Sequence, residues 1–347
     1  MNRIAWMWGV LLFVFVLILA YEQRNELVHA LPYLQKANYS LLLLSSLLEV
    51  LYYVLQALAT QWLYMTYNKK PRLAVLTLAL LQAAMLNEIL PSSGASGTLG
   101  FIYWAKRLGY GLQDTIKVNI WLSVLSYIAI VPMIALSIAA MFSLPPNAQH
   151  LIGGALEVFA IVTLVLLFIV VFSLWQRKRT QNREMAPRNN YNRLFGKWLA
   201  MLWQRIDTLQ HTVRTWFNEE IGHESQRFRR QRPKFLLAIT MLAMIYLVRM
   251  AMLEISFLAL HTQIPLSTIA YAYALTLLFS LMSFSPTTLG VVEVALVTCL
   301  GWFGTTPAVS IAAMILYRLV SYWLPIPLGL LSHWWLRQLP VQDSEIG

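Results

Sequence analysis

Charge is scarce in this chain. Asp, Glu, Lys and Arg make up 12% of its 347 residues, about half the share of an ordinary soluble domain, which excludes the charged, solvated shell that a water-soluble fold of this length needs. Cysteine is scarcer still. Cys299 stands alone, so the sequence carries no disulfide framework and no thiolate metal cluster, and its apolar neighbours give it the role of a small buried hydrophobe. The six histidines, at positions 29, 150, 211, 223, 261 and 333, show no HExxH or comparable ligand spacing. The glycine-containing stretch at 94–97 follows no predicted strand and matches neither a nucleophile elbow nor a Walker loop. No metal, cofactor or catalytic triad is expected, and soluble-enzyme chemistry has no support.

Long apolar runs are what the sequence has instead. Residues of the AVILMFWYC set reach 59%, with a mean hydropathy of +0.60. They gather at 4–20, 39–67, 116–142, 151–175, 235–260 and 311–336, each near or above the roughly 20 residues that cross a hydrocarbon core. The first run has Arg3 ahead of it, as a signal peptide would. No small-x-small cleavage pattern follows, and Tyr21, Glu22, Gln23 and Arg24 come next, so it reads as a retained helix. The net charge of +11 is local rather than general: residues 176–234 hold fourteen of the 26 basic residues against five acids. A cluster beside a membrane span reflects topology and anionic lipid headgroups, not nucleic acid. Within it, Leu194, Trp198, Met201, Leu202, Leu209, Val213, Trp216 and Phe217 recur mostly at spacings of three and four, as in an amphipathic helix lying on the cytoplasmic leaflet.

With that loop cytoplasmic, the run at 151–175 passes from outside to inside and the uncharged turn at 143–150 lies outside. Lys69, Lys70, Arg72, Lys106, Arg107 and Lys117 then mark the cytoplasmic ends of the neighbouring helices. Residues 72–107 leave the cytoplasm and return to it through an apolar run, a break at 91–97 rich in Ser and Gly, and a piece too short to span, which describes a re-entrant hairpin. Two ordinary spans are the alternative. Residues 267–303 repeat the plan from the outer side, with a break at 283–290. Broken hydrophobic segments in matching positions point to an inverted-repeat transporter with its site at the repeat interface. The expected fold is therefore an all-α polytopic membrane protein with six full spans and two re-entrant helical hairpins, built as one domain over 1–347. Repeat one covers about 39–143, repeat two about 235–337, and the basic loop 176–234, with both termini cytoplasmic.

The second hairpin, Pro286-Thr-Thr-Leu-Gly-Val-Val-Glu-Val-Ala-Leu296, followed by Phe303-Gly304, Leu316-Tyr-Arg-Leu319 and Tyr322-Trp-Leu-Pro325, resembles the lysylphosphatidylglycerol synthase transmembrane region, also called the flippase-like family. That family shows a turn rich in proline and glycine, Gly-Val-x-Glu, and an aromatic-Arg-Leu element in the last helix. Asn87, Pro91 and Lys106-Arg107 resemble its other signature in a loosened form. The resemblance implies translocation of a lipid or lipid headgroup. Its bifunctional members also carry a soluble aminoacyl-transferase domain, which is not expected here.

Ionisable side chains inside a membrane usually face a bundle interior, a partner or a wet cavity. Glu293 and Arg318 fall on positions that match the family, and their opposite charges compensate one another in low dielectric. Arg318 is assigned to a lipid phosphate, and Glu293 to holding Arg318 or to a cationic headgroup, beside a purely structural reading of the pair. Arg249 and Glu254 lie five residues apart and share a face poorly. Arg249 is the headgroup candidate of the two, because a guanidinium matches phosphate bidentately. Glu49 and Glu88 are candidates for proton or ion coupling, against a plainer account as snorkelling or capping residues. Pro91, Gly94, Pro286 and Gly290, with Asn87, mark the breaks. Free backbone donors there favour anions, although Gly94, Gly97 and Gly100 equally permit close helix packing. The expected function is translocation of a phospholipid or polyprenyl-linked lipid across the cytoplasmic membrane, with no covalent chemistry. A membrane-embedded enzyme acting on a polyprenyl phosphate and a non-transporting scaffold of a cell-envelope synthase are the alternatives. The expected partners are the bilayer and an anionic phospholipid or polyprenyl-linked lipid, with no nucleic acid; a homodimer is left open.

Overall fold

The structure is a computed structural model that describes residues 24–90, 95–144, 146, 226–282 and 291–339. Among these the chain is helical and has no strand. The elements are α1 (Arg24–Gln35), α2 (Tyr39–Thr66), α3 (Leu73–Ile89), α4 (Ala95–Arg107), α5 (Leu112–Ala129), α6 (Val131–Phe142), α7 (Arg232–Ala259), α8 (Leu266–Met282), α9 (Val291–Trp302), α10 (Pro307–Arg318) and α11 (Pro325–Gln338). A π-helical turn, Leu319–Trp323, joins the last two. Apart from residues 226–232, the described residues belong to one compact unit. The apolar runs at 4–20 and 151–175, the amphipathic stretch at 194–217, residues 91–94 of the first break and the second break at 283–290 lie outside the described residues. The first break is shorter than expected, because Ala95, Ser96 and Gly97 already belong to α4, whose first turn is held by the Asn87 side chain.

Four helical stretches are long and apolar enough to cross a membrane: Tyr39–Thr66, Leu112–Phe142, Arg232–Ala259 and Pro307–Gln338. Each matches an expected run to within four residues at either end. Pro132 sits in the first turn of α6 and divides the second of these stretches at Ile130, since a proline inside a helix removes a backbone donor. In the last stretch Pro325 follows the π turn, where Leu324 N–H reaches back five residues to the Leu319 carbonyl. Helix α1 answers to no expected run. Its buried residue is Ala30, and it packs against α10.

The elements fall into two series of matching lengths. In the first, α2, α3, α4 and the α5–α6 stretch have 28, 17, 13 and 31 residues. In the second, α7, α8, α9 and the α10–α11 stretch have 28, 17, 12 and 32. At 1.5 Å per residue α4 and α9 reach about 20 Å, short of a hydrocarbon core about 30 Å thick. The leading helices of the two series run antiparallel. Asn38 N–H donates to the Ala259 carbonyl at one end (2.7 Å), and Lys234 Nζ donates to the Met65 carbonyl at the other (2.8 Å). The lysine also places a cation at the C-terminus of α2, where the helix dipole favours one.

Large apolar side chains such as Leu43, Leu47, Phe142, Leu236 and Trp334 stay exposed on the outside of the bundle, as lipid-facing surfaces do. The last stretch is the most buried of the four. Its second part, α11, packs closely on α3. A Cβ on Gly329 would meet the Leu81 carbonyl oxygen at 2.7 Å and Met85 Cβ closer still, and backbone cannot swing aside as a side chain can. Gly329→Ala is expected to cost about 1–3 kcal/mol, the usual scale of overpacking, read as a lowered unfolding temperature in detergent. An unchanged midpoint would mean that the α3–α11 contact has slack.

Candidate functional site

Five ionisable side chains from five elements meet in the unit. Glu49 comes from α2, Glu88 from the last turn of α3, Arg249 from α7, Glu293 from α9 and Arg318 from the end of α10. They form two ion pairs of different quality. Arg249 binds Glu49 as a fork, Nη1 to Oε2 at 2.5 Å and Nη2 to Oε1 at 3.1 Å. The Glu49 side chain is fully buried, and the Arg249 guanidinium lies 4.0 Å from the centre of the Tyr52 ring. The fork uses one N–H on each Nη and gives the arginine a buried counter-charge, which fixes its orientation. The antiparallel register explains the meeting: Glu49 is 49 − 38 = 11 residues from Asn38, and Arg249 is 259 − 249 = 10 from Ala259, the two residues bonded at that end. Those steps place the pair about 16 Å along the helices.

The second pair is looser. Arg318 Nε lies 2.7 Å from Glu293 Oε1, yet it is out of line for a hydrogen bond, and Nε and Nη2 are both buried without a hydrogen-bond partner among the described residues. The contact is ionic, and Nη2 keeps its donors free. An unpaired buried donor costs about 1–3 kcal/mol, more when charged. Arg318 stands on the wall of a cavity of about 160 Å³, with Glu88, Arg249, Tyr273, Tyr317 and Ser321 beside it. The Ser321 hydroxyl is likewise buried and unpartnered. Ser321 falls in the π turn, whose wider winding re-aims the residues after Arg318. Tyr322 from the same turn donates to the Glu88 carbonyl at 3.0 Å and ties it to the end of α3.

The structure thus brings together five of the residues singled out from sequence, Arg318, Glu293, Arg249, Glu49 and Glu88. The Glu293–Arg318 compensation is present. Glu49 neither snorkels nor caps: it sits in mid-helix, held by Arg249, a pairing across 200 residues that no local spacing signals. Asn87 stands apart from the charges. Its Oδ1 accepts from Gly97 N–H at 2.7 Å and Ser96 Oγ donates to it at 3.3 Å, so it serves the first turn of α4 as an N-cap residue would. A Cβ on Gly97 would collide with that Asn87 side chain, and one on Gly100 would come within 2.5 Å of Leu86 Cδ1; both glycines serve close packing. Pro91, Gly94, Pro286 and Gly290 lie outside the described residues. Tyr273, Tyr317 and Ser321 were missed in sequence, being neutral residues in apolar helices; only the position of Ser321 one turn after Arg318 hinted at it.

The chain resembles known proteins over most of its length. The family model described as the lysylphosphatidylglycerol synthase transmembrane region matches residues 6–329. A UPF0104 membrane protein of Methanocaldococcus jannaschii is 29% identical over 115 residues, which is 33% of this chain and 34% of that protein. The matched stretch therefore spans about a third of the curated relative. No solved structure matches.

Proposed function

The chain belongs to the family of the lysylphosphatidylglycerol synthase transmembrane region, an integral membrane protein family, and from that premise we propose that it moves a phospholipid or polyprenyl-linked lipid across the cytoplasmic membrane, with the lipid phosphate docking on Arg318. The observation that carries this reading is the unpartnered Nη2 of Arg318, a largely buried side chain that lines a cavity with Glu88, Arg249 and Ser321. A phosphate oxygen supplies the acceptor that Nη2 lacks. Arg249, with both of its Nη atoms held by Glu49, anchors the wall.

The two series of helices form an inverted repeat in this reading, with α3–α4 and α8–α9 as re-entrant hairpins whose breaks hold Pro91, Gly94, Pro286 and Gly290. The antiparallel α2 and α7 support it, as does the match in lengths. Arg107 donating to the Arg337 carbonyl (3.5 Å) and Lys234 to Met65 put basic residues from both series at shared helix ends, which we assign to the cytoplasmic face.

Charge balance supports coupling to protons. Three carboxylates, Glu49, Glu88 and Glu293, accompany two guanidiniums, and Glu88 makes no ion pair among the described residues. It is faced by Arg249, Arg318 and Glu293, with the Tyr322 hydroxyl beside it. An arriving phosphate adds negative charge to a low-dielectric site, and a proton taken up on Glu88 offsets it. Proteoliposomes holding the native chain are expected to move a fluorescent anionic phospholipid faster than empty vesicles do, with a rate that responds to an imposed pH gradient. Glu88→Gln should keep the movement and lose that response. A rate equal to that of empty vesicles would sink the transport reading in favour of an enzyme or scaffold.

A further inference from the structure

A second, larger cavity of about 400 Å³ lies beside the end of α3, within the range of about 300–1,000 Å³ that holds small ligands. Consecutive residues divide the two spaces: Asn87 lines this one and Glu88 the charged one. On α7, Tyr246 lines this one and Arg249, three residues on, the other. Hydroxyls and apolar side chains line both, and the walls differ in charge. Among the described residues no charged side chain lines the larger cavity; amides and hydroxyls do, among them Gln56, Asn119, Ser123, Ser126 and Tyr246. Asn119 Nδ2 donates to the Thr115 carbonyl at 3.0 Å, which fixes the amide. Ser123 and Ser126 give their hydroxyl protons to carbonyls one turn back, Asn119 at 3.0 Å and Leu122 at 2.7 Å, and their oxygens remain acceptors. The Gln56 amide has no side-chain hydrogen bond among the described residues.

These walls select against most ligands. A cationic group would need a carboxylate, and a phosphate would need an arginine or lysine; the lining has neither among the described residues. A wholly apolar occupant would leave the amides unmatched. What fits is an uncharged group whose hydroxyls both donate and accept, with C–H faces to lie against Phe101 and Tyr127, which also border the space. We infer that this cavity binds the uncharged, hydroxyl-rich part of a lipid headgroup, such as a sugar or cyclic polyol, while its phosphate lies in the charged cavity. The inference rests on the phosphate-docking reading and narrows it: the cargo is an anionic lipid with a neutral polyol headgroup rather than one bearing an amine.

Calorimetric titration of the full chain in detergent with short-chain phosphatidylinositol, phosphatidic acid and phosphatidylethanolamine tests it. Phosphatidylinositol is expected to bind about tenfold more tightly than phosphatidic acid, the worth of one or two neutral hydrogen bonds, with phosphatidylethanolamine weakest. Gln56→Leu and, on a different helix, Asn119→Leu should bring the ratio of the first two affinities towards one, in variants that elute as the native chain does. Arg318→Gln should weaken both anionic lipids together. Equal affinities for the two in the native chain, both weakened by Arg318→Gln, would overturn the polyol cavity and leave phosphate docking standing. Tighter binding of phosphatidylethanolamine would also overturn it. Binding of none of the three would bring down both readings.

Discussion

Arg318→Gln is expected to reduce movement of an anionic phospholipid to the level of empty vesicles while the protein remains folded. The substitution removes the free donor edge from the cavity wall and the partner of Glu293 at once. Leaving a charged group in such a site without its donor costs at least about 1–3 kcal/mol, a loss of roughly five- to 150-fold in the step that uses it. Arg318→Lys separates the two contributions, since it keeps the charge beside Glu293 but cannot present a planar fork; its rate should fall between the others. Glu293→Gln, which leaves the guanidinium in place, should weaken movement less than Arg318→Gln does. Native rates in Arg318→Gln vesicles, at matched amounts of reconstituted protein, would remove Arg318 from the pathway.

The second large effect is on folding. Arg249→Gln leaves the carboxylate of Glu49, whose side chain is fully buried, without its counter-charge, and breaking such a pair from one side costs about 3–5 kcal/mol. The double substitution Glu49→Gln with Arg249→Gln should recover most of that loss, because it removes both charges together and the remaining amides can bond each other. A double-mutant cycle on thermal unfolding in detergent measures the coupling. A single-site loss under about 1 kcal/mol would contradict the buried fork. This cycle also tests the division of roles between the two arginines, since the double variant should still move lipid through Arg318.

Much of this was legible in the sequence because a bilayer leaves few choices. Apolar runs at 39–67, 116–142, 235–260 and 311–336 had to be helices, as non-helical backbone there has no water to satisfy it, and the structure has them. The charges at Glu293 and Arg318 stood out for the same reason, and they meet. Pairing between Glu49 and Arg249 was not legible, because it depends on two helices lying antiparallel in a register that only tertiary contacts set. Helix α1 was missed because its twelve residues mix Arg24, Asn25, Glu26 and Pro32 with apolar ones and show no sustained period. The neutral cavity had no signal either: Gln56, Asn119 and Ser123 are unremarkable singly and acquire meaning from being gathered.

The span of 200 residues between Glu49 and Arg249 has a consequence for biosynthesis. A ribosome working at about 5–20 residues per second takes roughly 10–40 s to cover it. Throughout that interval α2 has been made and its acid has no arginine to meet. The nascent helix must therefore wait at the insertion machinery or at the membrane surface, or enter with its carboxyl protonated, until α7 emerges. A chain arrested between these two helices should be extracted from membranes by alkaline carbonate more readily than one arrested after Ala259, and should be cleared sooner by membrane proteases.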